Sequence, residues 1–520
     1  MRVSSLVGCF LGVAGTVSGL DFEMLRQKVL GGVSFGNSLS SKIKKLPDYF
    51  NMHSSYADSL SSQGIPNIKK TTAWSKVSKM SELEGYSMRI KKPKLCVGED
   101  ETSYSGYLDI SDKSHFFFWF FEAKSKKKDA PIILWVNGGP GCSSLLGLFM
   151  ELGPCRINVS GDGTIPNDFG WNQDAHVVFL DQPTNVGFSY GESRSSSFAA
   201  GKDVYAFIQL LYSSFPEYAN SKLHVFGESY GGHYVPAIAK AIFDKNNELA
   251  AVSNKPSKLR RVPLESIGIG NGLVDPLEQY KYFGQMACNS TYPPVLSQRQ
   301  CDNIDSYYPT CAKLIEACYK YENRYACVPP SYYCNNNMLS SYYQEGLNPY
   351  DVRAKCADGG LCYSEITAIS KFLNDPKVID EVGSSVNSYE SCSSKVYQDF
   401  LLSGDWMKPY MRELPQLLES GIRVLVYAGD ADWICNWYGN KAFSLKLEWS
   451  GKEEFNLAKD TQWKGSSIVS KMPFDSFAGE HRTFGPLTFL RIFEAGHMVP
   501  YDQPEHSLDM INRWINNQSF

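Results

Sequence analysis

A serine between glycines, in Gly227-Glu228-Ser229-Tyr230-Gly231-Gly232, stands where the apolar run Leu223-His224-Val225-Phe226 gives way to a helix-like segment from His233 to Ile242. Strand, sharp turn and helix in that order let glycines absorb a strained backbone. The serine hydroxyl is then lifted above a sheet edge, with helix N-terminal amides beneath it. Ser229 is therefore the candidate nucleophile. Gly187-Phe188-Ser189-Tyr190-Gly191 has the same spacing, but it follows the turn Gln182-Pro183-Thr184-Asn185 and runs into a Ser-rich loop over 193–197, so Ser189 reads as a loop residue.

A serine hydroxyl needs a base, and that base needs an acid to fix its tautomer. The chain has 8 histidines. His497, in Gly496-His497-Met498-Val499-Pro500, directly follows the apolar strand Thr488 to Phe493, a place where α/β sheets carry function. His176 and His224 fall inside expected strands and read as buried structural residues, while His53 falls in the N-terminal extension. For the acid, Asp430 and Asp432 both follow the strand Arg423 to Tyr427, and either would project from the same edge. The order Ser229, one of these aspartates, His497 is the α/β-hydrolase order. A further strand, Ile132 to Val136, runs into Asn137-Gly138-Gly139-Pro140-Gly141-Cys142-Ser143-Ser144, whose glycines let backbone amides approach a ligand as an oxyanion loop requires; a plain glycine turn is the alternative.

These residues need a sheet to hold them. Apolar strands are expected at Tyr107–Ile110, His115–Phe121, Ile132–Val136, Ala175–Leu180, Leu223–Phe226, Ser266–Ile269, Arg423–Tyr427 and Thr488–Phe493, with a helix-like segment over Gly201–Phe215. Alternating strands and helices imply a mostly parallel central sheet with helices on both faces. The pattern dissolves into a Cys- and Tyr-rich block and then resumes. One discontinuous core is expected over 93–274 and 406–520, with a Cys-rich insertion over 275–405 and no internal repeats. Residues 1–19 read as a signal peptide, from the short apolar run Leu6 to Val17 behind Arg2, and no later apolar run is long enough to span a membrane.

Residues 20–92 are rich in Ser, Lys, Asn and Gly, show little periodicity and read as a propeptide rather than as part of the compact core. Over 20–93 there are 12 Lys/Arg against 6 Asp/Glu, a net of +6, and over 94–520 there are 38 against 49, a net of −11, so the two parts attract. No basic stripe with interleaved aromatics occurs, which argues against a nucleic-acid partner. Of 14 cysteines, eight lie between Cys288 and Cys362 without paired C-x-x-C units or a histidine, which favours disulfides over zinc and an oxidising compartment. Sequons stand at Asn158, Asn289 and Asn517.

Taken together, Trp135 to Ser144, Leu180-Asp181-Gln182-Pro183, Gly227 to Gly231, Gly429-Asp430-Ala431-Asp432-Trp433-Ile434-Cys435-Asn436 and Gly496 to Pro500 resemble the serine carboxypeptidase family, in its fungal vacuolar branch, from about residue 94 to 520. The resemblance implies the α/β-hydrolase fold and selects Asp432 as the acid. It also implies an oxyanion hole from the amides of Gly139 and Tyr230. The substrate's C-terminal carboxylate would be held by Asn137, the Gly138 amide, and Glu151 and Glu228 sharing a proton. Two carboxyls in contact cannot both ionise cheaply, so such a pair donates at acidic pH. Family pairing implies the bridges Cys142–Cys392, Cys288–Cys301, Cys311–Cys334, Cys318–Cys327 and Cys356–Cys362, with Cys435 free beside the site and, with Met498, in the substrate pocket. Cys96 and Cys155 have no counterpart in that pattern and are left for an extra bridge. Leu146 and Met150 stand where relatives often carry Thr and Phe, which leaves the side-chain preference open.

The expected protein is an acid-adapted serine carboxypeptidase, made as a zymogen, that releases single C-terminal residues from peptides and proteins through an acyl-enzyme on Ser229. It would need no metal or organic cofactor. Its partners would be peptide and protein C-termini and an activating protease, in the secretory pathway and most naturally a vacuolar, lysosome-like lumen, with secretion as the alternative. An acyltransferase of the same architecture and a non-catalytic binding or chaperone-like protein on the same fold are the rival readings. The intact Ser229, Asp432 and His497 argue against the second rival.

Overall fold

In the computed structural model the described residues are Trp74, 76–79, 86–111, 113–251, 259–357, 360–467 and 472–520. The chain divides into a unit Met1–Gly64, which lies outside the described residues together with the expected signal peptide and most of the expected propeptide, and a unit Ile65–Phe520 that holds everything below.

Fifteen strands follow one another along the described chain: β1 Lys76–Lys79, β2 Ser87–Lys91, β3 Ser103–Ser111, β4 Ser114–Phe121, β5 Ile132–Val136, β6 Cys155–Ile157, β7 Thr164–Pro166, β8 His176–Leu180, β9 Tyr190–Gly191, β10 Leu223–Glu228, β11 Leu264–Gly270, β12 Arg423–Gly429, β13 Thr461–Trp463, β14 Gly479–Phe484 and β15 Leu487–Ile492. One large sheet runs in the order β1-β2-β3-β4-β8-β5-β10-β11-β12-β15-β14-β13, with β9 on β4, while β6 and β7 form a separate pair. From β8 through β15 the central neighbours are parallel, and antiparallel strands close both edges. The mostly parallel sheet is the one the alternation of elements predicts, and its arrangement is the α/β-hydrolase one that the family resemblance implies.

Central strands read as unbroken apolar runs because both faces are covered. In β5, Ile132, Leu134 and Val136 join the core that packs under the helices Ser197–Ser214 and Gly231–Ala251. Ile133 and Trp135 join a second core on the other face, with residues of the helices Glu365–Leu373 and Pro504–Ile515.

β2 corrects the expectation that the extension up to residue 92 lies apart from the compact core. It pairs antiparallel with β3 and buries Met88 and Ile90 in the first core, while Arg89 lies on the other side against Asp109. The alternation Met88-Arg89-Ile90-Lys91 is a genuine strand period, but four residues of it are hidden in a Ser- and Lys-rich setting. Full burial of two such side chains stabilises by about 1.5–3 kcal/mol each.

The insertion, between β11 and β12, is helical and stapled. Disulfides join Cys288 to Cys301, Cys311 to Cys334, Cys318 to Cys327 and Cys356 to Cys362, and Cys142–Cys392 ties it to the loop after β5. Cys96–Cys155 joins the segment after β2 to β6. Asn289 and Asn517 are exposed and Asn158 is half-buried.

Candidate active site

The loops after β5, β10, β12 and β15 gather at one end of the parallel strands, and the candidate residues come from them. Ser229 follows β10 with a φ of +63°, in the left-handed region that costs a side-chain-bearing residue energy. Its backbone is held there: Ser229 N donates to Gly270 O at 3.1 Å, and Ser229 O accepts from Gly232 N and Leu273 N at 2.9 Å each. The helix Gly231–Ala251 starts immediately behind it.

His497 Nδ1 lies 2.7 Å from Asp432 Oδ2, and both residues are buried. Asp432 is oriented in turn: Oδ2 also accepts from Asn271 Nδ2 at 2.8 Å, and Oδ1 accepts from the Ile434 amide at 3.1 Å. With Nδ1 facing a carboxylate, the imidazole carries its proton there and Nε2 is free to accept one. Asp430, the other aspartate of the sequence pair, is engaged elsewhere, accepting from Arg491 Nη2 at 2.9 Å, Tyr292 OH at 2.6 Å and Glu494 N at 3.0 Å.

Three other buried histidines, His176, His224 and His233, are poor bases. Burial pushes His224 down to about 3 and His176 down to about 4; His224 Nδ1 sits 2.7 Å from Ser266 Oγ, and His176 Nδ1 accepts from Ala123 N. Burial also pushes His233 down to about 4, and its two ring nitrogens face the carbonyls of Leu273 and Trp406. Ser189 is a buried strut, donating to Asp181 O and accepting from Phe117 N.

The Asn137–Ser144 loop is pressed against the serine turn. A Cβ on Gly138 would fall 2.3 Å from Tyr230 N and 2.8 Å from Ser229 Cβ, so glycine is required for the approach. Gly139 takes a φ of +106°. Neither Gly139 N nor Tyr230 N donates to any acceptor among the described residues, so two adjacent segments each present an unused amide. The loop is anchored by Asp181, whose Oδ1 accepts from Ser143 Oγ at 2.6 Å and Ser144 N at 3.0 Å. Burial pushes Asp181 up to about 7 against these hydrogen bonds.

Glu151 and Glu228 are both buried. Asn137 Nδ2 donates to Glu151 Oε1 at 3.3 Å, and Asn137 Oδ1 accepts from Trp135 Nε1 and Gly147 N, which fixes the amide's orientation. Burial raises both carboxyls. Glu228 goes furthest, because the Glu151 charge and a hydrogen bond with Glu151 add to its burial; in Glu151 the bonds from Glu228 and Asn137 oppose the rise. The direction is that of two carboxyls sharing a proton. Among the described residues Cys435 is the free thiol: it lies with Asp432 and His497, all three polar atoms within 4.8 Å, and burial followed by the charges of Asp432 and Glu228 holds its proton on. Met498 is buried next to His497.

The pattern of the serine carboxypeptidase family matches residues 93–517. The chain belongs to that family. This carboxypeptidase is 48% identical over 443 residues to carboxypeptidase Y homolog A of Phaeosphaeria nodorum, covering 84% of this chain and 78% of the relative. To the protein of the same name from Aspergillus niger it is 46% identical over 446 residues, covering 84% and 77%. The crystal structure of Kex1Δp, a prohormone-processing carboxypeptidase of Saccharomyces cerevisiae, superimposes with a TM-score of 0.67 at 26% identity, covering 87% of this chain and 97% of that one. The protein is thus a serine-type carboxypeptidase, a hydrolase acting on peptides.

Two parts of the carboxypeptidase's site were not marked in the sequence. Asn271 left a trace, in that it stands at the end of a strand in Asn-Gly, and it takes a φ of +40° there. The segment Pro349–Val352 left none. Pro349 O accepts from Trp433 N and Ile434 N, Tyr350 O accepts from His497 N, and Val352 N donates to Ala431 O, so a strip of the insertion stitches the Asp432 loop to the His497 loop through backbone hydrogen bonds, with the Tyr350 ring 5.1 Å from that of His497.

Proposed function

We propose that Ser229, His497 and Asp432 form the catalytic triad, that the amides of Gly139 and Tyr230 form the oxyanion hole, and that Asn137, the Gly138 amide, Glu151 and Glu228 hold the substrate's terminal carboxylate. The observation that carries this is the 2.7 Å contact between His497 Nδ1 and Asp432 Oδ2, set beside a serine at φ +63°.

Ser229 Oγ attacks the carbonyl carbon of the last peptide bond as its proton passes to His497 Nε2, and the oxygen that gains charge is met by the two unused amides. When the C–N bond breaks, His497 returns the proton to the leaving amine and the terminal amino acid departs. Water then adds to the acyl-enzyme, giving its proton to His497, and the shortened peptide leaves as an acid while the proton returns to Ser229. Asp432 orients the ring and stabilises the imidazolium. A neutral or half-neutral Glu151–Glu228 pair donates to the substrate's anion, which makes peptide hydrolysis an acidic-pH activity.

The reading extends to a zymogen with a basic extension of opposite charge to its acidic body, cut by an activating protease near residue 92. It also extends to a route through the secretory pathway to a vacuolar lumen, supported by the apolar N-terminal run and the disulfides. Among the described residues no helix is long and apolar enough to cross a membrane. Labelling with a serine-directed phosphonate and mapping the adduct tests the nucleophile, and mass analysis of products from peptide and acyl-ester donors in alcohol separates hydrolysis from acyl transfer. An adduct on any residue other than Ser229 overturns the assignment.

A further inference from the structure

Tyr230 supplies one amide of the proposed oxyanion hole, yet no strand pairing holds it, and its neighbour Ser229 is in a strained conformation. Backbone bonds hold the turn through Ser229 O and through Tyr230 O, which accepts from His233 N at 2.9 Å, and the Tyr230 side chain adds a second anchor. The ring is fully buried, stacked on His233 with centroids 4.3 Å apart and tilted against Trp406 at 5.4 Å. At its far end the hydroxyl donates to Asp405 Oδ2 at 2.9 Å.

Asp405 is 0% exposed. Its carboxylate also accepts from Ser197 Oγ at 2.6 Å and Tyr410 OH at 2.9 Å, and more weakly from Ser197 N at 3.3 Å, while Lys408 Nζ lies 3.6 Å from Oδ1. Three hydroxyls from three separate segments thus converge on one anion: Ser197 starts a core helix, Tyr230 follows the nucleophile, and Tyr410 follows the insertion. A buried carboxylate is costly, and a well-packed apolar residue in its place is often neutral or stabilising. An apolar side chain could fill the volume, but it could not hold the Tyr230 hydroxyl at one point.

We propose that Asp405 is a positioning residue for the reaction, setting the Tyr230 amide in the oxyanion hole through the Tyr230 hydroxyl and so coupling the insertion's last residues to transition-state stabilisation. The proposal rests on the reading of Gly139 and Tyr230 as the hole. Deleting one oxyanion donor outright lowers kcat by about 10²–10³-fold, and an ångström of misplacement costs up to about 10²-fold. A donor that is loosened but retained therefore loses roughly ten-fold.

The test compares Tyr230→Phe, Asp405→Asn and the double variant in the full trimmed enzyme. Each single change should lower kcat by about ten-fold on both free-carboxylate peptides and C-terminally blocked esters while KM moves less than two-fold, because the carboxylate is held elsewhere. Binding of a peptide aldehyde, whose hemiacetal oxygen occupies the hole, should weaken by the same factor, and binding of the matching alcohol should not change. The double variant should be no worse than either single one, since both remove the same contact. Should Asp405→Asn fail to fold, Tyr230→Phe, which deletes only one hydroxyl, carries the test alone. Unchanged kcat and aldehyde affinity in folded Tyr230→Phe, with the wild type still preferring aldehyde to alcohol, overturns the positioning role and leaves the hole intact. A wild type that binds aldehyde and alcohol equally overturns the hole itself, and the inference with it.

Discussion

His497 N donates to Tyr350 O at 2.8 Å, so the loop carrying the candidate base hangs from the backbone of the disulfide-rich insertion. The residue before it is packed just as closely, since a Cβ on Gly496 would meet Tyr350 O at 2.5 Å. An alanine there must push the His497 loop away from Pro349–Val352. Gly496→Ala should lower kcat by about 10²-fold, the scale of a one-ångström misplacement, with a smaller effect on thermal stability. Measuring kcat beside the melting temperature decides it: near-normal kcat would show that the bridge does not set the base.

If Ser229, His497 and Asp432 work as a unit, their losses do not add. Ser229→Ala and His497→Ala should each abolish peptide hydrolysis, and the double variant should be about as inactive as either one. All three should fold, because the triad residues lie at loops after the strands rather than among the apolar side chains of the two cores. Activity near wild type in Ser229→Ala would remove the nucleophile assignment.

Much of this architecture was written in local sequence, and what was not has a common physical character. β5 and β10 announce themselves because burial on both faces demands unbroken apolar runs, and Ser229 because a strained turn demands glycines around it. Residues alone left Asp430 and Asp432 level. The structure separates them by a long-range fact, the engagement of Asp430 by Arg491, Tyr292 and Glu494. The hydrogen bonds of Pro349–Val352 run through carbonyls and amides, which every residue type has, and the one ring contact, Tyr350 on His497, joins residues far apart in sequence, so no local side-chain pattern could reveal it. Asp405 was simply the last residue of a Cys-rich block until Tyr230, Ser197 and Tyr410 were seen to meet on it.

β2 changes what trimming near residue 92 should do. Arg89 donates from Nε and Nη2 to the two oxygens of Asp109 at 2.6 and 2.7 Å, with His115 Nδ1 2.5 Å from Oδ1 and the Arg89 guanidinium stacked over Trp74 and Tyr107. Burial opposes the Asp109 charge, but the His115 and Arg89 hydrogen bonds outweigh it and hold its carboxyl below the usual range. A lowered folded pKa stabilises above the ordinary value, roughly 3.9, and that contribution is lost as pH falls through the folded value. After cleavage, the peptide carrying β2 should therefore remain bound near pH 6 and come off on acidification below about 4. Native mass spectrometry at the two pH values reads this directly; release at pH 6 would show that the strand is held only by its covalent link. If the untrimmed precursor cleaves peptides as fast as the trimmed form, the zymogen reading is lost as well.

The carboxylate clamp gives the prediction that most sharply separates a carboxypeptidase from a generic esterase. Burial raises both Glu151 and Glu228, and the Glu151 charge and hydrogen bond push Glu228 further, so Glu228 keeps the shared proton well above the ordinary range of about 4.3. A raised folded pKa works in the opposite sense to that of Asp109. Its stabilising contribution is full below the unfolded pKa and disappears as pH rises through the folded value. The same rise leaves two negative charges facing the substrate's carboxylate. KM for free-carboxylate peptides should therefore climb with pH, while hydrolysis of C-terminally blocked esters and amides, which bring no anion, should not follow that decline. Replacing both residues, Glu151→Gln with Glu228→Gln, keeps donors and volume but abolishes titration. That variant should lose most of the high-pH decline on peptides, even if its rate at acidic pH is several-fold lower, and thermal unfolding should show a weaker loss of stability with rising pH. Parallel pH profiles on free and blocked substrates settle the matter. A decline on peptides that survives the double substitution would mean that some other group holds the carboxylate.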